Sequence, residues 1–461
     1  MVSLLDPGGV ATRRAGTLLS YIFEYIAHVR GFSRNAKLFI WSSTLSALAS
    51  GVVFVIMNLY LVRVGLQENF LGMLVFYSSI AGVVFALPAG QASDRFGRRG
   101  PLMVSGGVAA AGILAQVMFP SPTMLVVATL LTGAAFTVGM VAGGPLMVES
   151  SDAHERTHLF GFQAALSMGI SVIGSNLGGL LPKLFGALLG TGADTVPALK
   201  ATLLVGVALF VLAVLPLVPM REERRSIAPV RTAGSSWLRL TNRAIVARLV
   251  VPQAIIGLGA GFIMPLQNVF LNRYLGASTA QIGLIFAVSS AVTGTATLAS
   301  PLLANRWGKV RSIAASQLAS LPFLAVMGLV PHLWAYAVAS WIRTSLMNLV
   351  NPIISNFSLE VVQQQERATV NSLINMTWNL GWAVSGWAGG WIMQNVSYTL
   401  PYGCTFVLYV VGILTFYHFF KAYDPPLPVG ERSGSRGRPA PSRAPLAAGK
   451  SLDGGNNSQG M

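Results

Sequence analysis

The chain has 461 residues, of which 53% are hydrophobic and 10% charged, with a mean hydropathy of +0.62. Soluble domains carry roughly 25% charged residues, so an ordinary water-soluble protein is excluded. The net charge of +16 would point to nucleic acid in a soluble chain; here the basic residues sit in short connections between apolar runs, where they set membrane topology and bind no nucleic acid. The single cysteine, Cys404, excludes an intramolecular disulfide and any Cys-based zinc site, and no cofactor is implied.

In chain order, residues 1–36 read as a tail. Leu18, Ile22, Tyr25, Ile26 and Val29 have helical spacing, which fits a short amphipathic helix on the membrane surface. A signal peptide is opposed by Glu24 within the apolar stretch and by the absence of a small-residue cleavage site. A bilayer crossing needs about 20 apolar residues. Spans are expected near 38–62, 70–90, 102–119, 123–149, 158–184 and 198–219, giving a six-helix bundle over 37–219. Leu102 to Val148 holds 47 residues without Asp, Glu, Lys, Arg or His, enough for two crossings joined at Phe119-Pro120-Ser121-Pro122. A polar, basic linker covers 220–243. A second bundle over 244–422 has spans near 246–271, 279–303, 312–331, 333–358, 368–394 and 401–421. The tail from 423 to 461 is rich in Pro, Gly, Ser and Arg, a composition that reads as disordered.

With both termini on one side, that side carries 26 of the 31 Lys and Arg. Arg63, Lys183, Lys200 and Arg273 fall on the other side, and Arg343 falls inside a span. The positive-inside rule then puts both termini of this multi-pass cell-membrane protein in the cytoplasm, and an odd number of crossings would break the alternation.

The chain also repeats itself at an offset of 211. Asp94-Arg95-Phe96-Gly97-Arg98 returns as Asn305-Arg306-Trp307-Gly308-Lys309, Glu149 as Glu360, and Glu155-Arg156 as Glu366-Arg367. Gly72 returns as Gly283, and Gly178-Gly179 as Gly389-Gly390. Halves duplicated in the same order and orientation predict two bundles related by an axis along the membrane normal, with a site between them near the midplane.

Gly90-Gln91-Ala92-Ser93-Asp94-Arg95-Phe96-Gly97-Arg98-Arg99 resembles the signature loop between helices two and three of the major facilitator superfamily, G-x-x-x-D-R-x-G-R-R. In the second copy Pro301 replaces the first Gly and Asn305 the Asp. The resemblance covers roughly residues 38 to 421 and implies an all-α membrane protein of twelve helices in two pseudo-symmetric six-helix bundles. It implies that Gly90, Asp94, Arg95, Gly97 and Arg98, with Asn305, Arg306 and Gly308, form a latch between the halves. Read from the residues alone, the loop is a tight turn that marks topology. Gly169-x4-Gly174-Ser175-x2-Gly178-Gly179 is similar to the family's antiporter motif with Ser175 in place of Pro; small residues also simply permit close helix packing. Glu149 with Arg156 and Glu360 with Arg367 read either as gating ion networks or as caps of helix ends.

Charge inside a span is costly and raises a functional hypothesis. Arg343 lies ten residues into its span, roughly 15 Å deep, with Asn351 on nearly the same helix face. It reads as an anchor for an anionic or polar solute, or as a structural side chain bonded to backbone carbonyls. Asn371, Asn375 and Asn379 form a stripe at i, i+4, i+8, while Asn58 matches Asn268 within one residue and Gln267 within two residues of the repeat. Each Asn serves equally as helix glue or solute contact. No Asp or Glu lies in mid-span, which disfavours a standard cation exporter.

The expected function is secondary active or facilitative transport of a small organic solute, anionic in one reading, by a monomer in the lipid bilayer using alternating access. Efflux or antiport is compatible, with protons or another ion as the coupling partner. The alternative is a non-transporting sensor or scaffold of the same fold. An enzyme finds no support: the sequence has no phosphate-binding loop, metal cluster or nucleophile–base pairing.

Overall fold

The computed structural model describes residues 31–221, 242–363 and 366–424. The expected surface helix, most of the linker and the C-terminal tail lie outside the described residues. The first half contains α1 (Arg34–Arg63), α2 (Glu68–Phe96), α3 (Arg99–Met118), α4 (Pro122–Glu149), α5 (Ala153–Leu188) and α6 (Val196–Val214), each one crossing. In the second half, α7 (Arg243–Ile263) and α8 (Gln267–Arg273) together make crossing seven, and α9 (Thr279–Leu298) and α10 (Ser300–Trp307) make crossing eight. Crossing nine is α11 (Lys309–Leu329), crossing ten is α12 (Leu333–Leu349) with α13 (Asn351–Val361), crossing eleven is α14 (Arg367–Asn395), and crossing twelve is α15 (Leu400–Phe420).

Local chemistry sets these limits. The side chains of Ser33 and Asn242 accept the N–H groups of Ala36 and Ile245, and Ser278 forms a capping box with Gln281. Each cap satisfies donors that no helical carbonyl can reach. The three interrupted crossings break next to Pro265, Pro301 and Pro352. Proline donates no N–H and crowds the preceding turn, so a break beside it is the relaxed solution.

Among the described residues, ten crossings are long and apolar enough to span a bilayer. The remaining two are crossing ten, divided at Val350, and crossing eleven, which carries the Asn stripe. Both pack in as full members of the bundle, α12 against α9 and α11, and α14 against α7 and α2. The protein thus has twelve transmembrane helices in two pseudo-symmetric bundles.

The 211-residue register is visible in the backbone. α2 starts at Glu68 and α9 at Thr279, and α4 starts at Pro122 and α12 at Leu333, each pair one repeat apart. The turns repeat too: Gly65 and Gly276 have φ of +107° and +66°, and Gly97 and Gly308 have +82° and +86°. The packing follows the same rule. α1 packs on α5 and α6 as crossing seven packs on α14 and α15; α4 packs on α2 and α3 as crossing ten packs on α9 and α11. Between the halves the principal contacts are α2 with α14 and α5 with α9, which the repeat exchanges.

Candidate transport path

The side that carries the linker is called here the linker side, and the opposite membrane face the far side. At the far side the halves meet through glycine. A Cβ built on Gly72 would lie 2.6 Å from the carbonyl oxygen of Gly386, and one on Gly390 only 3.1 Å from the Cα of Gly72. The repeat-related seam has a Gly283 Cβ 2.6 Å from the Cα of Gly179. Only hydrogen fits at such an approach, so these glycines let two helix backbones touch. The same stripe on α5 does a second job: Gly174 and Gly178 face α1, against Gly51 and Val52. Gly169 meets nothing within 4 Å.

Polar bonds reinforce the seam. Asn58 donates to the carbonyl of Pro265 at 2.8 Å and to Asn268 Oδ1 at 3.0 Å, while Asn268 donates to the carbonyl of Val55 at 3.0 Å. The break at Pro265 frees the carbonyl that Asn58 uses. Nearer the far surface, Tyr398 donates to Glu68 Oε1 at 2.6 Å, Gln394 donates to Gln67, and the Asn69 N–H donates to Gln394 Oε1 at 3.2 Å. Burial and the neighbouring Glu68 carboxylate both push the Tyr398 hydroxyl well above its ordinary range, so it stays a donor.

Toward the linker side the α14 face that meets α2 is uncovered. Asn375 and Asn379 are exposed and bond only one turn back along their own helix. They lie on the helical face that carries Gly386 and Gly390, since eleven residues make about three turns. Asn351 is exposed and donates to Asn348 Oδ1 at 3.0 Å. In the first half a side cavity of about 320 Å³ is lined by Ser42, Ser46, Ser50, Gln163 and Ser167 together with apolar residues including Phe39 and Met140.

Arg343 sits elsewhere. It is 1% exposed inside the second bundle. Its Nη2 donates to the Tyr409 hydroxyl at 3.1 Å, its guanidinium lies 5.3 Å from that ring's centroid, and its Nε has no partner. Tyr336 and Tyr402 share a hydroxyl hydrogen bond of 3.0 Å, and Gln267 bonds to Tyr336. Arg343 lies within α12, and in this conformation its side chain faces aromatic rings of its own half, so contact with a solute would require it to move.

The linker-side networks also repeat. Arg98 binds Asp94 at 2.7 Å and Glu149 at 3.0 Å, and one repeat later Lys309 pairs with Glu360. Burial opposes the Arg98 charge, yet the bonds to Asp94 and Glu149 prevail and hold it above the ordinary arginine range. Asn305 cannot supply the second carboxylate, so among the described residues Lys309 pairs with one carboxylate where Arg98 pairs with two. The partners differ from those expected by adjacency: Arg156 donates to the backbone carbonyl of Val148 at 3.4 Å while Glu149 takes Arg98. Arg95 lies over the Phe96 ring.

Of the residues singled out in the sequence, Asn58 and Asn268 come together in the seam, Asn351, Asn375 and Asn379 are exposed toward the linker side, and Gln267 and Arg343 belong to the aromatic cluster. Sequence reasoning missed Glu68 with Tyr398, and the Ser42, Ser46, Ser50 series, whose four-residue spacing was available as a signal.

A family model described as Major Facilitator Superfamily matches residues 39–252 and 249–452. No curated protein matches the sequence. Solved structures with the same fold include a mutant of the nucleoside transporter NupG, with TM-score 0.69, 14% identity, and coverage of 84% of this chain and 100% of that one. A D-xylose–proton symporter has TM-score 0.66, 14% identity, and coverage of 86% and 98%. A bacterial homologue of the human lysosomal transporter Spinster, inward-facing and occupied, has TM-score 0.67, 16% identity, and coverage of 84% and 96%.

Proposed function

The chain belongs to the major facilitator superfamily, and on that premise we propose that it carries a small organic solute across the cell membrane by rocking its two halves about a central cavity, with the tails and linker in the cytoplasm. The observation behind this reading is the seam: backbone contact between halves on the far side, and an uncovered polar face toward the linker side. Alternating access needs such a closure on one side at a time. In this orientation the seam is the external gate and the cavity opens inward.

The proposed solute is neutral or anionic. Asn351, Asn375, Asn379, Gln163 and the serines offer donors and acceptors without charge, and none of these would attract a cation. Asn58, Asn268 and Gln267 join the site as the seam opens. Transport is facilitative or coupled to protons or another ion, and the protein works as a monomer in the bilayer.

The test is a thermal-shift screen of purified protein against anionic, neutral and cationic solutes, followed by uptake of any stabilising solute into proteoliposomes. A ligand at a hundred times its Kd stabilises by about 2.7 kcal/mol. Stabilisation by a neutral or anionic solute with saturable uptake is expected. Stabilisation without uptake would favour a sensor or scaffold.

A further inference from the structure

The first-half cavity of about 320 Å³ is walled on one side by a row of hydroxyls. Ser42, Ser46 and Ser50 stand one turn apart on one face of α1, so the row runs roughly 12 Å along the helix. A serine inside a helix commonly satisfies its hydroxyl on a carbonyl of the preceding turn. Ser43 and Ser105 in the same wall do so, donating to the carbonyls of Ile40 and Leu102 at 3.0 and 2.9 Å. Among the described residues, the three hydroxyls of the row have no hydrogen-bond partner. Ser42 is only 7% exposed, and burying a hydroxyl is costly unless something bonds to it. Across the cavity Gln163 donates to Ser167 at 3.1 Å, which leaves the Gln163 carbonyl and the Ser167 proton for another partner.

The second half shows what the same positions need when they only pack. Asn58 and Asn268 set the register of crossing one on crossing seven at 210 residues, which puts Pro252, Ile256 and Ala260 at the places of Ser42, Ser46 and Ser50. All three are apolar and buried within α7. A bundle core can therefore do without hydroxyls here, and the serines answer to something in the cavity. The row also leads toward the other half. Ser50 is exposed, and one turn further along α1 Phe54 meets Phe286 of the second half, with ring centroids 5.5 Å apart.

The lining selects the solute. Among the described residues no charged side chain lines the cavity, so nothing there compensates a carboxylate or an ammonium taken out of water. Hydroxyls donate and accept at once, and Gln163 with Ser167 offers one of each; their natural partners are other hydroxyls. Phe39, Phe136 and Phe210 supply apolar surface beside them. The volume lies at the lower end of the roughly 300–1,000 Å³ found for small-molecule pockets. We propose that the serine row binds a neutral polyhydroxylated solute of hexose size, its hydroxyls on Ser42, Ser46 and Ser50 and its C–H face against the phenylalanines.

Such a site presupposes transport, as proposed above, and the test separates the two. Labelled D-mannitol, D-glucose and myo-inositol are offered to the full-length protein in proteoliposomes, with D-gluconate as a charged analogue. Saturable uptake of at least one of the three neutral polyols is expected, with gluconate at least about tenfold weaker. Ser42→Ala and Ser46→Ala should each raise KM roughly threefold to tenfold, the worth of one neutral hydrogen bond. Neither should lower Tm, because the lost hydroxyl has no partner within the described protein. Ser345→Ala, whose hydroxyl bonds to the Trp341 carbonyl at 2.7 Å in the second half, should leave KM unchanged. Uptake of another solute class while all three polyols are ignored would overturn the inference and leave transport standing. So would polyol uptake with KM unmoved in both cavity-serine variants, or gluconate taken up as well as glucose. No uptake of any solute from an anionic, neutral and cationic panel would overturn both.

Discussion

Gly179 and Gly283 face each other across the two halves so closely that a methyl group on Gly283 would stand 2.6 Å from the Cα of Gly179 and 2.7 Å from the Ser175 carbonyl oxygen. The neighbours are backbone, so no flexible side chain can yield. Gly283→Ala should wedge the far side open. Overpacking costs about 1–3 kcal/mol, so the closed-to-open ratio should fall about fivefold or more in a far-side distance measurement. Gly72→Ala should act alike through the other seam. Gly169→Ala, which meets nothing within 4 Å, should leave the distance unchanged.

The signature loop makes a second prediction. Gly97 has φ +82° and ψ −178°, a region essentially reserved for glycine. Gly97→Leu should introduce about 1–3 kcal/mol of strain there, and Asp94→Ala should remove one of the two carboxylates on Arg98. If the loop acts as a latch that biases rocking without touching the site, both variants should slow transport while leaving solute binding largely intact. Paired transport and binding assays measure this; normal turnover in both would reduce the loop to a topology marker.

The two repeat-related ion pairs should differ in weight. The Arg98 side chain is 16% exposed and serves two carboxylates, whereas the Lys309 and Glu360 side chains are 34% and 61% exposed. After solvent screening, Arg98→Ala should cost about 1 kcal/mol and Lys309→Ala almost nothing. Thermal melting of the two variants decides it, and equal losses would show that the missing carboxylate at Asn305 is unimportant.

How much of this was legible in sequence depends on what kind of contact is involved. The fold was readable because apolar length and Lys/Arg placement act locally, and the repeat supplied an internal check. Asn58 and Asn268 could be paired in advance because the repeat put them nearly in register. Glu68 with Tyr398 could not: 330 residues separate them, and Tyr398 sits in a connection with no periodicity to exploit. For Arg343 the place within a helix was readable from the sequence, but the direction was not. Which face of a helix meets its own bundle depends on rotations that Tyr336, Tyr402 and Tyr409 reveal only once packed.

Arg343 therefore gives a fourth prediction. Its charge is buried with an aromatic partner and an unpaired Nε. Replacing such a group with an apolar side chain of similar size is often neutral or stabilising. Arg343→Met should melt no lower than the parent and bind solutes of every charge alike, whereas Arg343→Ala should lose about 2–5 kcal/mol to the cavity it leaves. A stable Arg343→Met protein that selectively loses anionic solutes would return this side chain to the binding site.

The most direct test of the whole account is to lock the seam. Gln67 and Gln394 touch across the halves at the far side. Gln67→Cys and Gln394→Cys, on a Cys404→Ser background, should be joined by oxidation or a short thiol cross-linker. Solute uptake into proteoliposomes is then compared before cross-linking, after it, and after reduction. The account predicts that uptake stops with the cross-link and returns with reductant. Uptake that continues at the original rate through a fully cross-linked seam would contradict it.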